Sequence, residues 1–183
     1  MKKTILTLVA LAALFTPVVR AEDLDAATQA KVTAKIEAIK TWAADATIVK
    51  AVKAQNEKMP AELADMNQDK WKGLGILDPL VRSFTKNEAA GVIKAKKTDS
   101  VSEAFLSAAD GTKIAFLTKP SNWSHKGKPK HDVPMSGKTW QGAVEVDEST
   151  GLRQVQVAVP VLDGDKAIGS LVVGLDLTKL KAE

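Results

Sequence analysis

The sequence predicts an α+β fold: a long N-terminal helix and short helices packed on a five-stranded antiparallel sheet. Three observations predict it. Residues 24–56 hold no Gly or Pro and repeat apolar side chains every three or four positions. After Val101 the apolar period changes to two, the mark of strands. Two Asp-Gly pairs, Asp110-Gly111 and Asp163-Gly164, each lie between such runs, where a tight reversal joins antiparallel neighbours.

The chain opens on a segment set apart from that fold. Lys2 and Lys3 make a basic start, 5–14 is an apolar run, and Val19-Arg20-Ala21 ends on a small residue before Glu22-Asp23. This is the layout of a secretory signal peptide over residues 1–21, its apolar run shorter than the ~20 residues of a membrane span. The single domain then occupies 22–183, and a periplasmic or secreted location after cleavage is the expectation. Losing three cations and no acid lowers the formal charge from +4 to +1. The basic balance of the whole chain therefore gives no footprint for nucleic acid. No cysteine is present, which excludes disulfides, thiol catalysis and thiolate metal sites.

Within 24–56, Val32, Ile36, Ile39 and Ala43 form the stripe of one continuous helix beside Trp42. At ~1.5 Å per residue it would span ~50 Å, more than a small domain covers. Part of it either projects and pairs with a second copy or a partner through Val32, Ile36 and Ile39, or simply lies across the sheet. Pro60 suits the first turn of a short helix with Leu63, Met66 and Trp71 inward, ended by Gly73-Leu74-Gly75. Asp78 caps a further segment that begins at Pro79, and 87–97 is helical again.

Strands are expected over 101–108 and 113–117, around the first Asp-Gly turn, and over 138–146. The last hairpin carries Val155, Val157 and Val159 alternating with Gln154, Gln156 and Ala158, turns at Asp163-Gly164-Asp165, and returns through 167–177. Between the second and third strands, 121–137 has no periodicity. Seventeen such residues form a long connection, of the sort that is often functional.

That connection is where a ligand is expected. Residues 119–138 hold five lysines (Lys119, Lys126, Lys128, Lys130, Lys138) and both histidines, His125 and His131, against one acid, Asp132. Folded over the sheet, such a segment favours an anion. Trp123 and Trp140 stand at its two ends, where indoles wall a pocket and donate hydrogen bonds. The competing reading is a solvated loop whose tryptophans are packing. The spacing of His125, His131 and Asp132 fits no tight metal motif, and Asp163 and Asp165 are explained by their turn. No nucleophile elbow, His-Glu-x-x-His or phosphate loop occurs, so neither an enzyme nor a cofactor is expected.

The run VQVAVPVLDGDKAIGSLVVGLDLTKL, together with the earlier Ala109-Asp110-Gly111 turn, resembles the extracytoplasmic single Cache sensor domains. These have a PAS-like fold and serve chemoreceptors, histidine kinases and cyclase-type receptors. The resemblance covers about 25–180. It implies a small ligand, often a carboxylate or an amino acid, between the sheet and the loop after the second strand. By position it implies Lys119 as the basic residue closing that strand, Trp123 over the pocket, Trp140 opening the third strand and Asp176 as the acid ending the last. Two departures bear on specificity. There is no Tyr, and a Lys replaces the Arg whose planar fork reads a carboxylate. A small organic acid suits better than an amino acid.

In such receptors a membrane helix follows the last strand, whereas here Glu183 lies six residues beyond Leu177. The expectation is a binding or sensing module without its own transmembrane or output segment. Its partners would be a small organic anion and a membrane sensor kinase, chemoreceptor or cyclase-type receptor, with a homodimer as a further candidate. The alternative is a structural protein that binds no ligand and acts through the N-terminal helix.

Overall fold

The computed structural model describes residues 24–146 and 151–183. The leader expected over 1–21 lies outside the described residues, as do residues 147–150, where a turn is expected between the third and fourth strands. In chain order come α1 (Ala26–Ala43), α2 (Ala46–Glu57), a 3-10 turn (Ala61–Leu63), α3 (Gln68–Gly73), α4 (Pro79–Lys86) and α5 (Glu88–Lys96). Then follow β1 (Val101–Ala108), β2 (Lys113–Phe116), α6 (Pro129–Met135), β3 (Trp140–Val146), β4 (Arg153–Asp163), β5 (Lys166–Asp176) and α7 (Leu177–Ala182). The strands form one antiparallel sheet in the order β2-β1-β5-β4-β3. This is the expected α+β architecture, with the last hairpin at its centre.

Two local expectations change. The helix expected over 24–56 is divided at Asp45, which takes extended backbone (φ −61°, ψ 132°) and accepts the Thr47 N–H at 3.0 Å. Asp is among the best helix N-caps, so Asp45 starts a new helix without help from Gly or Pro. The connection between β2 and β3 contains α6, which Pro129 opens at a position where its missing N–H costs nothing. Two prolines and a Lys/His-rich composition hide this one short helix from a periodicity search.

The sheet separates two cores. On one face, Val155, Val157, Val159 and Val161 of β4 and Leu171, Val173 and Leu175 of β5 meet Val32, Ile36 and Ile39 of α1 and Ile48 and Val52 of α2. Val32, Ile36 and Ile39 are 0, 9 and 1% exposed, so the α1 stripe is spent on the sheet and offers no surface to a partner. On the other face, Phe105, Phe116, Ala158 and Val172 meet Trp71, Val81, Phe84 and Trp123. Trp71 lies 5.8, 6.0 and 5.2 Å from the rings of Phe84, Phe116 and Trp123. This aromatic cluster fills only part of the second face. The rest is polar.

Candidate ligand site

The polar part of that face comes from strand alternation. Valines at the odd positions of β4 point to the α1 side, so Gln154 and Gln156 point to the other, beside Glu103 of β1. The Gln156 amide donates to Glu103 Oε1, and Gln154 Nε2 donates to the same oxygen at 3.2 Å. Ser102 Oγ donates to Gln154 Oε1 at 2.7 Å. From α6, Lys130 Nζ donates to Gln156 Oε1 at 2.6 Å and ties the cover to the sheet.

The cover is fixed at two further points. Trp71 Nε1 donates to Pro120 O at 2.8 Å, and Gln68 accepts the Trp123 N–H and donates to Ser121 O, both at 2.9 Å. At the β1–β2 turn, the His125 N–H donates to Gly111 O at 3.0 Å. Gly111 has φ +80°, and a Cβ there would lie 2.4 Å from Lys126 N, so only glycine admits this approach. The turn that reverses the strand thus also sets His125.

Between cover and sheet lies a hollow of about 270 Å³ whose walls include Glu103, Phe105, Lys119, His125, Lys130 and Gln156. His125 is 4% exposed and stacks on Phe105 with ring centres 4.7 Å apart. Its Nδ1 is buried without a hydrogen-bond partner. Burial, then the charges of Lys113 and Lys130, push its pKa down to about 2, so the ring is neutral at ordinary pH. Lys119 Nζ sits 4.5 Å from the centre of the Trp71 ring, and burial lowers its pKa. Two lysines and one carboxylate therefore line a space that the His125 ring also walls, while its Nδ1 is sealed from that space.

A larger cleft of about 580 Å³ runs between the end of α2 and the β4–β5 turn. Several of its polar groups are already engaged. Lys53 pairs with Asp163 at 2.8 Å, and Asn56 donates to Ile168 O and accepts the Ala109 N–H. It lies at the far end of the sheet from the polar patch around Glu103 and Gln156, and the smaller hollow, walled by that patch and two lysines of the cover, is the better site for an anion.

Of the side chains singled out from sequence, Lys119 and His125 reach the hollow. Trp123 is buried in the aromatic cluster, and Trp140 packs on the same cluster from β3. His131 is held by Ser170 Oγ at 2.7 Å and Ala109 O at 3.2 Å, and burial lowers its pKa. Asp176 caps α7, accepting the Thr178 and Lys179 N–H groups at 2.8 and 3.3 Å. Lys130 was named only as one of the cover's five lysines, and Glu103, Gln154 and Gln156 were not assigned to the site. The two glutamines carried a readable signal, since polar residues alternating with core valines on a central strand face whatever covers it. Among the described residues, no group of three or more His, Cys, Asp or Glu is placed to hold a metal. Nor is any helix there long and apolar enough to cross a membrane.

No family model and no curated protein matches the chain. Solved structures do. The sensor domain of the V. cholerae histidine kinase DctB aligns with 85% of this chain at 17% identity and a TM-score of 0.50, and the aligned part is 54% of that chain. The E. coli DcuS sensor domain aligns with 86% of this chain at 12% identity and a TM-score of 0.50, covering 97% of its own length. This chain thus spans about half of the DctB sensor domain and nearly all of the DcuS one. At these identities the likeness is one of fold: this chain has the fold of these sensor domains, the PAS-like fold expected from its sequence.

Proposed function

We propose that the chain is an extracytoplasmic binding module for a small organic anion, held between the α6 segment and the sheet and reported to a membrane signalling partner. The observation that carries this reading is the hollow itself: about 270 Å³, with Lys119 and Lys130 on its walls beside Glu103 and Gln156. The volume admits a molecule of only a few heavy atoms. Lys119 and Lys130 approach the anionic end, and Glu103 accepts from a hydroxyl or other donor on the same molecule. Trp123, His131, Trp140 and Asp176 act by holding the cover and the strand ends. Sensor kinases, chemoreceptors and cyclase-type receptors are the partner classes that use this fold in that way.

Thermal melting against acetate, pyruvate, L-lactate, fumarate and L-alanine tests it. A ligand at a hundred times its Kd stabilises by about 2.7 kcal/mol, or about 5–10 °C for a domain of this size. We expect such a shift with at least one acid, reduced by more than half in Lys119→Ala and in Lys130→Met. An unmoved melting temperature across the panel, or a shift that both variants retain, would overturn the reading.

A further inference from the structure

Behind the wall of the hollow lies a cation that the binding reading leaves unused. Lys113, on β2, is fully buried. Its Nζ donates to Ser107 Oγ at 3.1 Å and to Gly111 O at 3.0 Å and sits 5.0 Å from the centre of the Phe105 ring. None of the ion pairs among the described residues includes it. A buried ammonium paired with no carboxylate is held at a cost, which falls when an anion comes near.

The neighbours of Lys113 sharpen this. Lys130 of α6 and Asp110 of the β1–β2 turn act on its charge directly, and His125 and His131 of the cover lie close enough to be acted on by it. Lys130 disfavours the charged form and Asp110 favours it, but burial outweighs both and brings the amine to about 7. Phe105 links this amine to the hollow, for its ring touches Lys113 and lines the cavity alongside its stacking partner His125. Lys130, the main repulsive charge on Lys113, is itself a wall of the hollow and reaches Gln156 there.

We propose that Lys113 couples anion binding in this hollow to proton uptake, its amine behind the Phe105–His125 stack taking a proton as the anion settles against Lys130; this rests on the binding reading above. The bound anion offsets the Lys130 charge and attracts the new one, so the protonated amine is favoured in the complex. Linkage makes the effect reciprocal: the anion binds more tightly where Lys113 is already charged. Affinity is therefore highest below neutral pH and falls as pH rises through the titration of Lys113. The module reads an acid together with the acidity of its surroundings.

The test uses acetate, pyruvate, L-lactate and fumarate, all ionised above pH 6, measured by calorimetry at pH 6.5 and 8.5. A one-unit coupling makes binding on the order of tenfold tighter at pH 6.5, with net proton uptake at pH 7.5 in two buffers of different ionisation heat. In Lys113→Met, affinity at pH 6.5 should fall to the wild-type value at pH 8.5 and lose most of its pH dependence. Because that variant alters a buried site, carbon NMR of Lys113 Cε in the wild-type protein gives a second reading: near-neutral titration without acid, moved upward with it. If no acid binds, the binding reading and this coupling fall together. If an acid binds with no proton uptake and an unmoved Lys113 titration, only the coupling is overturned.

Discussion

His125 and Lys113 give the folded state opposite limbs of pH dependence. The His125 ring, held neutral by burial with a pKa near 2, does not protonate in the folded protein where the unfolded ring does. The unfolded state binds the extra proton as pH falls below about 6.5, so stability declines from there toward pH 2. Lys113 acts above neutrality. Its folded pKa of about 7 lies below the unfolded 10.5, so stability rises as pH climbs between the two. We expect His125→Phe, which keeps the stack on Phe105, to flatten the urea midpoint between pH 6.5 and 4. His131, whose pKa is also lowered by burial, and the carboxylates supply the dependence that remains. Lys113→Met should stabilise most below pH 7 and lose that advantage toward pH 10.5. An acid limb unchanged in His125→Phe, or a Lys113→Met gain that grows with pH, would show that these groups do not titrate as described. Neither residue was assigned this role from sequence. A lysine two residues after Asp-Gly reads as a solvated turn residue, and only the bulge that shifts register between Leu106 and Ser107 accompanies its placement beneath the cover.

Turns and caps decide where the elements stop, and they set the site as much as its own side chains do. Asp45 divides the N-terminal helical region, and Asp45→Ala should cost about 1 kcal/mol in denaturant unfolding. Gly111 carries a larger burden, because its positive φ and its close approach to Lys126 N are both required. Gly111→Ala should lower stability by about 1–3 kcal/mol through strain and displacement of the cover. It should also weaken any acid-induced thermal shift, because His125 hangs from Gly111 O. Normal acid binding in a destabilised Gly111→Ala protein would separate the turn from the site. The sheet elements were legible because Val155–Val157–Val159 and the two Asp-Gly turns report local rules that tertiary packing does not override. The break at Asp45 and the helix α6 were not, because a single cap and a seven-residue segment carry too little period to count.

At the scale of the whole molecule, one sheet divides an aliphatic core under α1 and α2 from an aromatic core under α3 and α4. The cover between β2 and β3 closes what remains of the second face. The sequence announced the cover by its lysines and histidines, but not which of them would turn inward. Exposed Lys126, Lys128 and Lys138 and half-buried Lys130 belong to one compositional run and separate only through the fold of α6. The stripe Val32, Ile36, Ile39 looked equally suited to a partner and to a core, because an apolar helix face does not say what covers it. With those residues packed on the sheet, Ile36→Asp or Ile39→Asp should unfold the domain, and Ile39→Ala should cost about 2–5 kcal/mol. A folded Ile39→Asp protein of altered mass in solution would instead favour an interface on α1.

The most direct measurement is an experimental density map of the protein purified from the compartment in which it works, without added ligand. The expected result is a small molecule in the 270 Å³ hollow, its anionic end within hydrogen-bond distance of Lys119 or Lys130. A hollow closed by the protein's own side chains, with Lys130 and His125 turned toward each other or toward solvent, would contradict the account.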